Sequence, residues 1–138
     1  MVLVRELDGV TWYDDSKGTN VGSVVKSLAG LEGQVTLIAG GKDKGGDYAP
    51  LEELVKAKVG HLILIGQAAD RMQDSFRGMT EILRADSLEQ AVDMARRVTV
   101  AGGTVLLSPG CSSFDMFRSY AERGEVFCRA VQALHSQD

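Results

Sequence analysis

Three segments of the sequence concentrate the residue types that hold anions. The first, Asp14-Asp15-Ser16-Lys17-Gly18-Thr19-Asn20, offers a lysine point charge, a carboxylate in Asp15 that can accept from ribose hydroxyls, and Thr19 beside backbone N–H groups suited to a carboxylate. Its plainer reading is an N-capping turn, since Ser, Thr, Asn and Asp fix helix starts and Gly18 permits a tight bend. The second segment, Gly40 to Tyr48, sets Lys42, Asp43 and Lys44 among four glycines. It has neither the GxxxxGK[ST] order nor the GxGxxG order, so neither nucleotide fingerprint applies. One reading is a flexible loop; the other is a backbone that approaches an anion closely with lysines beside it.

The third segment is Ser108-Pro109-Gly110-Cys111-Ser112-Ser113-Phe114-Asp115. Phe114 stands where a GxSxG nucleophile elbow needs its last glycine, which argues against a hydrolase. Cys111 with His61 or His135 as base is poorly supported too, because neither histidine has a local signature. Ser112 or Ser113, with N–H groups at a helix start, is better suited to hold an oxyanion.

Something must bring these segments together. Val2 to Leu7 and Val10 to Tyr13 read as two strands of a hairpin about Asp8-Gly9. A helix follows from Asn20, with Val21, Val24, Val25, Leu28 and Leu31 on one face and Gly30 and Gly33 at its exit. Val35 to Ala39 is a strand, and a helix from Pro50 carries Leu51, Leu54, Val55 and Val59 until Gly60 stops it. His61 to Ile65 is a strand, Ala68 to Phe76 a short helix, and Thr80 to Arg84 a strand. Ser87 caps a helix with Leu88, Ala91, Val92 and Ala95, closed by Gly102-Gly103. Thr104 to Leu107 is the last strand, and Phe114, Phe117, Val126, Ala130, Val131 and Leu134 belong to a terminal helical region broken near Gly124.

Short apolar strands alternating with amphipathic helices predict an α/β, Rossmann-like three-layer domain: a mainly parallel sheet with an antiparallel N-terminal hairpin, and helices on both faces. In such sheets ligands bind beyond the carboxyl ends of the strands, where all three segments fall. At 138 residues, one domain with one core is expected.

Composition narrows the partners. The net charge of -4 supplies no general field for nucleic acid or an anionic membrane, so an anion must be held locally. Cys111 and Cys128 lack both disulfide-scaffold density and CxxC metal spacing, and read as free thiols. The apolar runs are too short to span a bilayer and no signal-peptide pattern opens the chain, so a cytoplasmic location is expected. Met1 running straight into Val2 and Val4 reads as a domain boundary.

Trp12 to Ser23 (WYDDSKGTNVGS), Ile38 to Tyr48 (IAGGKDKGGDY) and Leu106 to Gly124 (LLSPGCSSFDMFRSYAERG) together, in this order, resemble the C-terminal domain of the Mur ligases. The likeness runs over essentially the whole chain, and is strongest to the branch that adds D-glutamate to UDP-N-acetylmuramoyl-L-alanine in peptidoglycan synthesis. It implies that the central ATPase domain, with its P-loop, and the N-terminal uridine-nucleotide domain precede this one and are absent from it. It further implies that Asp15 and Lys17 face the ribose and phosphates of ATP, and that Thr19, Lys44, Ser113 and Tyr120 form the D-glutamate site. Register within the loop favours Lys44, Lys42 being the other lysine there. ATP and Mg2+ would serve the complete enzyme, bound mainly outside this chain, which supplies no metal ligands. The domain alone is then expected to be inactive. The competing expectation is a free-standing Rossmann-like anion-binding or regulatory module without ligase activity.

Overall fold

The computed structural model describes residues 1–43 and 45–136. Among them β1 (Val2–Leu7) and β2 (Val10–Asp14) pair antiparallel. Their turn residues Asp8 and Gly9 have φ of 53° and 79°, the left-handed pair that matches the twist of a two-residue hairpin. The remaining strands run parallel: β3 (Val35–Gly40), β4 (Val59–Ile65), β5 (Glu81–Arg84) and β6 (Thr104–Leu107). The sheet order is β1-β2-β6-β3-β4-β5.

Alternation along each strand divides the core in two. On one face α1 (Val21–Ala29), α2 (Glu52–Lys58) and α3 (Ala69–Phe76) lay Val24, Leu28, Val55, Met72 and Phe76 over Leu37, Leu62, Leu64 and Leu106. On the other, α4 (Leu88–Val98) and α5 (Tyr120–Gln132) lay Leu88, Val92, Phe127 and Val131 over Ile38, Ile63, Val105 and Leu107. Burying each such side chain stabilises the fold by about 1.5–3 kcal/mol before entropy is counted. This is the three-layer, mainly parallel architecture with its antiparallel hairpin that the hydrophobic pattern predicts.

The topology also fixes where a ligand can sit. The chain leaves β2 and β3 toward one face and leaves β6, which lies between them, toward the other. Neighbouring strands whose exits diverge open a crevice at their carboxyl ends. Register places Asp14, Leu107 and Ile38 in one row at that edge, so the three anion-holding segments start side by side.

Three boundaries differ from the sequence reading. The helix after Pro50 begins as a 3-10 turn at Ala49–Leu51 and ends at Lys58. Val59 and Gly60 belong to β4, where Val59 pairs with Val35, a long-range partner that local pattern cannot see. Lys58 marks the exit by donating its Nζ to Leu28 O (2.9 Å) in the last turn of α1 and to Leu31 O (2.6 Å) just past it. Secondly, α4 stops at Val98, before Gly102-Gly103. Thirdly, α5 is continuous through Gly124, and the segment 114–119 ahead of it is turn rather than helix. Phe114 is 67% exposed, so it belongs to no core stripe. Glycine at 124 serves close approach instead: a Cβ there would lie 2.9 Å from Asp14 Oδ2.

Candidate functional site

The loop after β2 is built around Asp15. Its N–H donates to Leu107 O (2.7 Å), extending the ladder to β6 by one residue. Ser27 Oγ and Ser108 Oγ both donate to Asp15 Oδ2, at 2.6 and 2.9 Å, so this carboxylate joins α1 to the loop after β6. Gly18 N–H donates to Asp15 O, Thr19 N–H to Lys17 O, and Gly110 N–H to Gly18 O, each at 2.7 Å. Asn20 Oδ1 then accepts from Ser23 N–H at 2.9 Å and caps α1. The capping expectation therefore holds, with Asn20 as the cap.

Lys17 stays exposed and Thr19 half-buried. Two hollows meet at Lys17. One, of about 350 Å³, is lined by Asp15, Lys17, Gly18, Ser23, Lys26 and Ser27, together with Met1. The other, of about 160 Å³, adds Asp14, Ser16, Tyr120 and Gly124 to Asp15 and Lys17. Asp15, Lys17 and Tyr120 thus share one hollow, whose lining includes neither Thr19 nor Ser113.

The loops after β2 and β6 are joined by a residue to which sequence reasoning gave no role. Arg123 is 1% exposed. It donates from Nε to Ser16 Oγ (3.0 Å), from Nη2 to Ser16 O (2.7 Å) and from Nη1 to Cys111 O (3.1 Å). Ser16 Oγ in turn donates to Tyr120 O at 2.6 Å. Burial pushes the Arg123 guanidinium down to about 10, opposed by nearby acidic groups that include Asp115 and Asp14, so it is charged at neutral pH. A signal existed: Arg123, Phe127 and Val131 recur every four residues on the buried face of α5.

The loop after β3 enters the crevice through two glycines. Gly40 and Gly41 have φ of 113° and 137°. A Cβ on them would stand 2.1 Å from Ile65 O and 2.4 Å from Ser112 O. Only glycine lets the backbone pass there. Lys42 N–H donates to Ser112 O (2.9 Å) and Gly41 O accepts from Ala68 N–H (2.8 Å), so the loop is stitched to the loop after β6 on one side and to the N-cap of α3 on the other. The Lys42 side chain is exposed. Lys44, expected to contact the ligand, lies outside the described residues.

In the loop after β6, Ser113 is 2% exposed and its carbonyl accepts from Met116 and Phe117 N–H at 3.1 and 2.8 Å. This turn replaces the helix start expected at Ser112 and Ser113. The α5 N-terminus comes later, where Ser119 Oγ accepts from Glu122 N–H at 3.1 Å. Its first residue is Tyr120, 45% exposed.

Cysteine chemistry is not supported. Burial pushes the Cys111 thiol up, and its Sγ lies 3.7 Å from the Tyr48 hydroxyl, itself raised by burial. Both are protonated at neutral pH, and a thiol is a poor nucleophile. His61 sits against Glu81 at 3.4 Å near the amino ends of β4 and β5, across the sheet from the loops. Among the described residues no three His, Cys, Asp or Glu converge on one point.

Comparison with known proteins bears on this arrangement. Residues 1–111 match the family model described as Mur ligase, glutamate ligase domain. The chain is 85% identical over 134 residues to the UDP-N-acetylmuramoylalanine--D-glutamate ligase of Syntrophotalea carbinolica, covering 97% of this chain and 30% of that protein. It is 56% identical over 138 residues to the ligase of the same name from Geotalea daltonii, covering 100% and 30%. The chain thus spans about 30% of the length of the curated relatives it matches. Among solved structures, a murein peptide ligase from Psychrobacter arcticus superposes with TM-score 0.63 at 10% identity, covering 99% of this chain and 30% of that one. The MurF ligase of Thermotoga maritima, in complex with ADP, gives 0.52 at 18% identity, covering 93% and 29%. At these identities the superpositions speak for the fold alone.

Proposed function

Because the chain belongs to the Mur ligase family, as its glutamate ligase domain, we propose that it is the C-terminal part of a cytoplasmic ATP-dependent ligase joining D-glutamate to UDP-N-acetylmuramoyl-L-alanine. In that reaction the substrate carboxylate would take the γ-phosphoryl group of ATP and release ADP, with magnesium supplying charge neutralisation. The D-glutamate amine then attacks the acyl phosphate, an amide bond forms and phosphate leaves. The P-loop, the magnesium ligands and the uridine-nucleotide site are assigned to the remainder of such a ligase.

The observation that carries the proposal is the convergence of three polar loops at the carboxyl edge around β6, two of them fastened by buried Asp15 and Arg123. Lys17 lies exposed between two hollows, suited to meet a phosphate, with Asp15 beside it for the ribose. Asp15 Oδ2 already accepts two hydroxyls, and its Oδ1 lies 3.8 Å from the Met1 ammonium. Thr19, Lys44, Ser113 and Tyr120 are the residues assigned to the dicarboxylate, of which Tyr120 shares a hollow with Asp15 and Lys17. These groups position and neutralise; the chemistry of the phosphoryl group belongs to the rest of the enzyme.

The test has two arms. A full-length ligase carrying this domain should release phosphate from ATP with D-glutamate and the muramoyl substrate, and far less with L-glutamate. The 138-residue chain alone should turn over nothing, while millimolar D-glutamate shifts NMR signals of Thr19, Lys44, Ser113 and Tyr120 first. Equal rates with both enantiomers, or shifts confined to other regions, would overturn the reading in favour of a general anion-binding module.

A further inference from the structure

Arg71 lies on α3, outside the three segments, and is 42% exposed at its side chain. Its guanidinium nevertheless makes three contacts with the loop after β3. Nη1 donates to Asp43 Oδ1 at 2.8 Å, Nη2 donates to Gly46 O, and the group lies over the Tyr48 ring, 4.9 Å from its centroid. Asp43 Oδ1 also accepts from Gly45 N–H at 2.8 Å, and Asp43 N–H donates to Gln67 Oε1 at 3.3 Å. The second half of the loop is therefore gathered onto the start of α3. Tyr48 is 4% exposed and touches Cys111, so the guanidinium rests on a fixed surface.

We infer that Arg71 is a positioning residue for the amino-acid site, holding the loop after β3 in its ligand-ready shape and neutralising Asp43 beside an anionic substrate. The inference rests on the proposed function, in which this loop is a wall of the D-glutamate site. Two physical arguments support it. A loop with four glycines loses much backbone freedom on ordering, and a contact made before the ligand arrives removes part of that cost from binding. An unpaired Asp43 carboxylate would also repel a dicarboxylate, and Arg71 is its ion-pair partner. A lysine keeps the charge but lacks the planar fork that reaches Asp43 and Gly46 together.

The experiment measures kinetics in a full-length ligase and amide exchange in the 138-residue chain. Arg71→Ala should raise KM for D-glutamate by about tenfold, leaving kcat and KM for ATP within about twofold. Arg71→Lys should recover part of the loss, and Asp43→Asn in the Arg71→Ala background should recover the electrostatic share. Exchange at Gly45 and Gly46 should quicken in Arg71→Ala while β4 amides stay protected. An unchanged KM for D-glutamate, or a fall in kcat with a rise in both KM values while Gly45 and Gly46 are unaffected, overturns the inference. A wild-type ligase that makes no product from D-glutamate sinks the proposed function instead, a result visible before any variant is tested.

Discussion

Two ties hold the loops at the carboxyl edge, and they differ in kind. Arg123 is buried and reaches two backbone carbonyls and a hydroxyl on the loops after β2 and β6. Arg71 is exposed and grips a glycine-rich loop through an ion pair, one carbonyl and an aromatic face. The first tie works where water is excluded, so losing it strands polar groups without partners. The second works in solvent, where each charge is screened and a released partner is promptly hydrated. The edge therefore combines a fixed floor with an adjustable wall, which suits a site that must keep its shape and still admit a ligand.

The buried tie should show the largest effect. Arg123→Ala should cost roughly 3 kcal/mol or more, because Ser16 O and Cys111 O lose their donors and a cavity opens. Urea unfolding of the chain checks this, and a loss under 1 kcal/mol would refute the fixed floor. Gly41→Ala comes next, at about 2 kcal/mol, since an L side chain at φ 137° would also strike Ser112 O.

Alkaline pH supplies a smaller effect whose sign is fixed. Burial raises the Cys111 thiol and the Tyr48 phenol, so the folded chain keeps protons that the unfolded chain gives up above their ordinary values of 9.0 and 10.0. Their stabilising contribution is complete below pH 9.0 and declines as pH rises past it. Arg123, lowered to about 10, opposes that decline from there upward. Tyr48→Phe should flatten the fall in stability between pH 9 and 11 in denaturation curves measured at each pH. The smallest effect should belong to the adjustable wall: Arg71→Ala is expected to change stability by about 0.5 kcal/mol or less. An Arg71 variant as damaging to stability as the Arg123 variant would erase the distinction.

Much of the fold was legible because its cues are local. Asp8-Gly9 announces its own turn, and Ser87 caps α4 through a bond to Gln90 three residues on, at 3.0 Å. Where the cue lies elsewhere in the chain, local pattern misplaces the boundary. Val59 and Gly60 look like a helix end until Val59 pairs with Val35. Phe114 and Phe117 look helical until the Ser113 carbonyl closes a turn and Ser119 starts the helix afresh. At the site, the three loops could be named from their residue types, and their meeting place from the alternation of strands and helices. The partners of the two arginines that fasten them were not legible, since each acts on segments distant in sequence, although Arg123 shares the four-residue spacing of Phe127 and Val131 on α5.

Strand β6 has a consequence for how the molecule is made. It is the last strand in chain order among the described residues, yet it occupies the middle of the sheet, between β2 and β3. Asp15 meets Ser108 across 93 residues of chain, and Arg123 meets Ser16 across 107. Contacts of such separation slow folding, because loop closure must precede their reward. While the chain is being synthesised, β2 and β3 must wait with a vacant lane between them, exposing strand edges. When β6 enters that lane it joins the two parts of the sheet and draws the loops together, so assembly of the ligand edge is also the step that completes the fold.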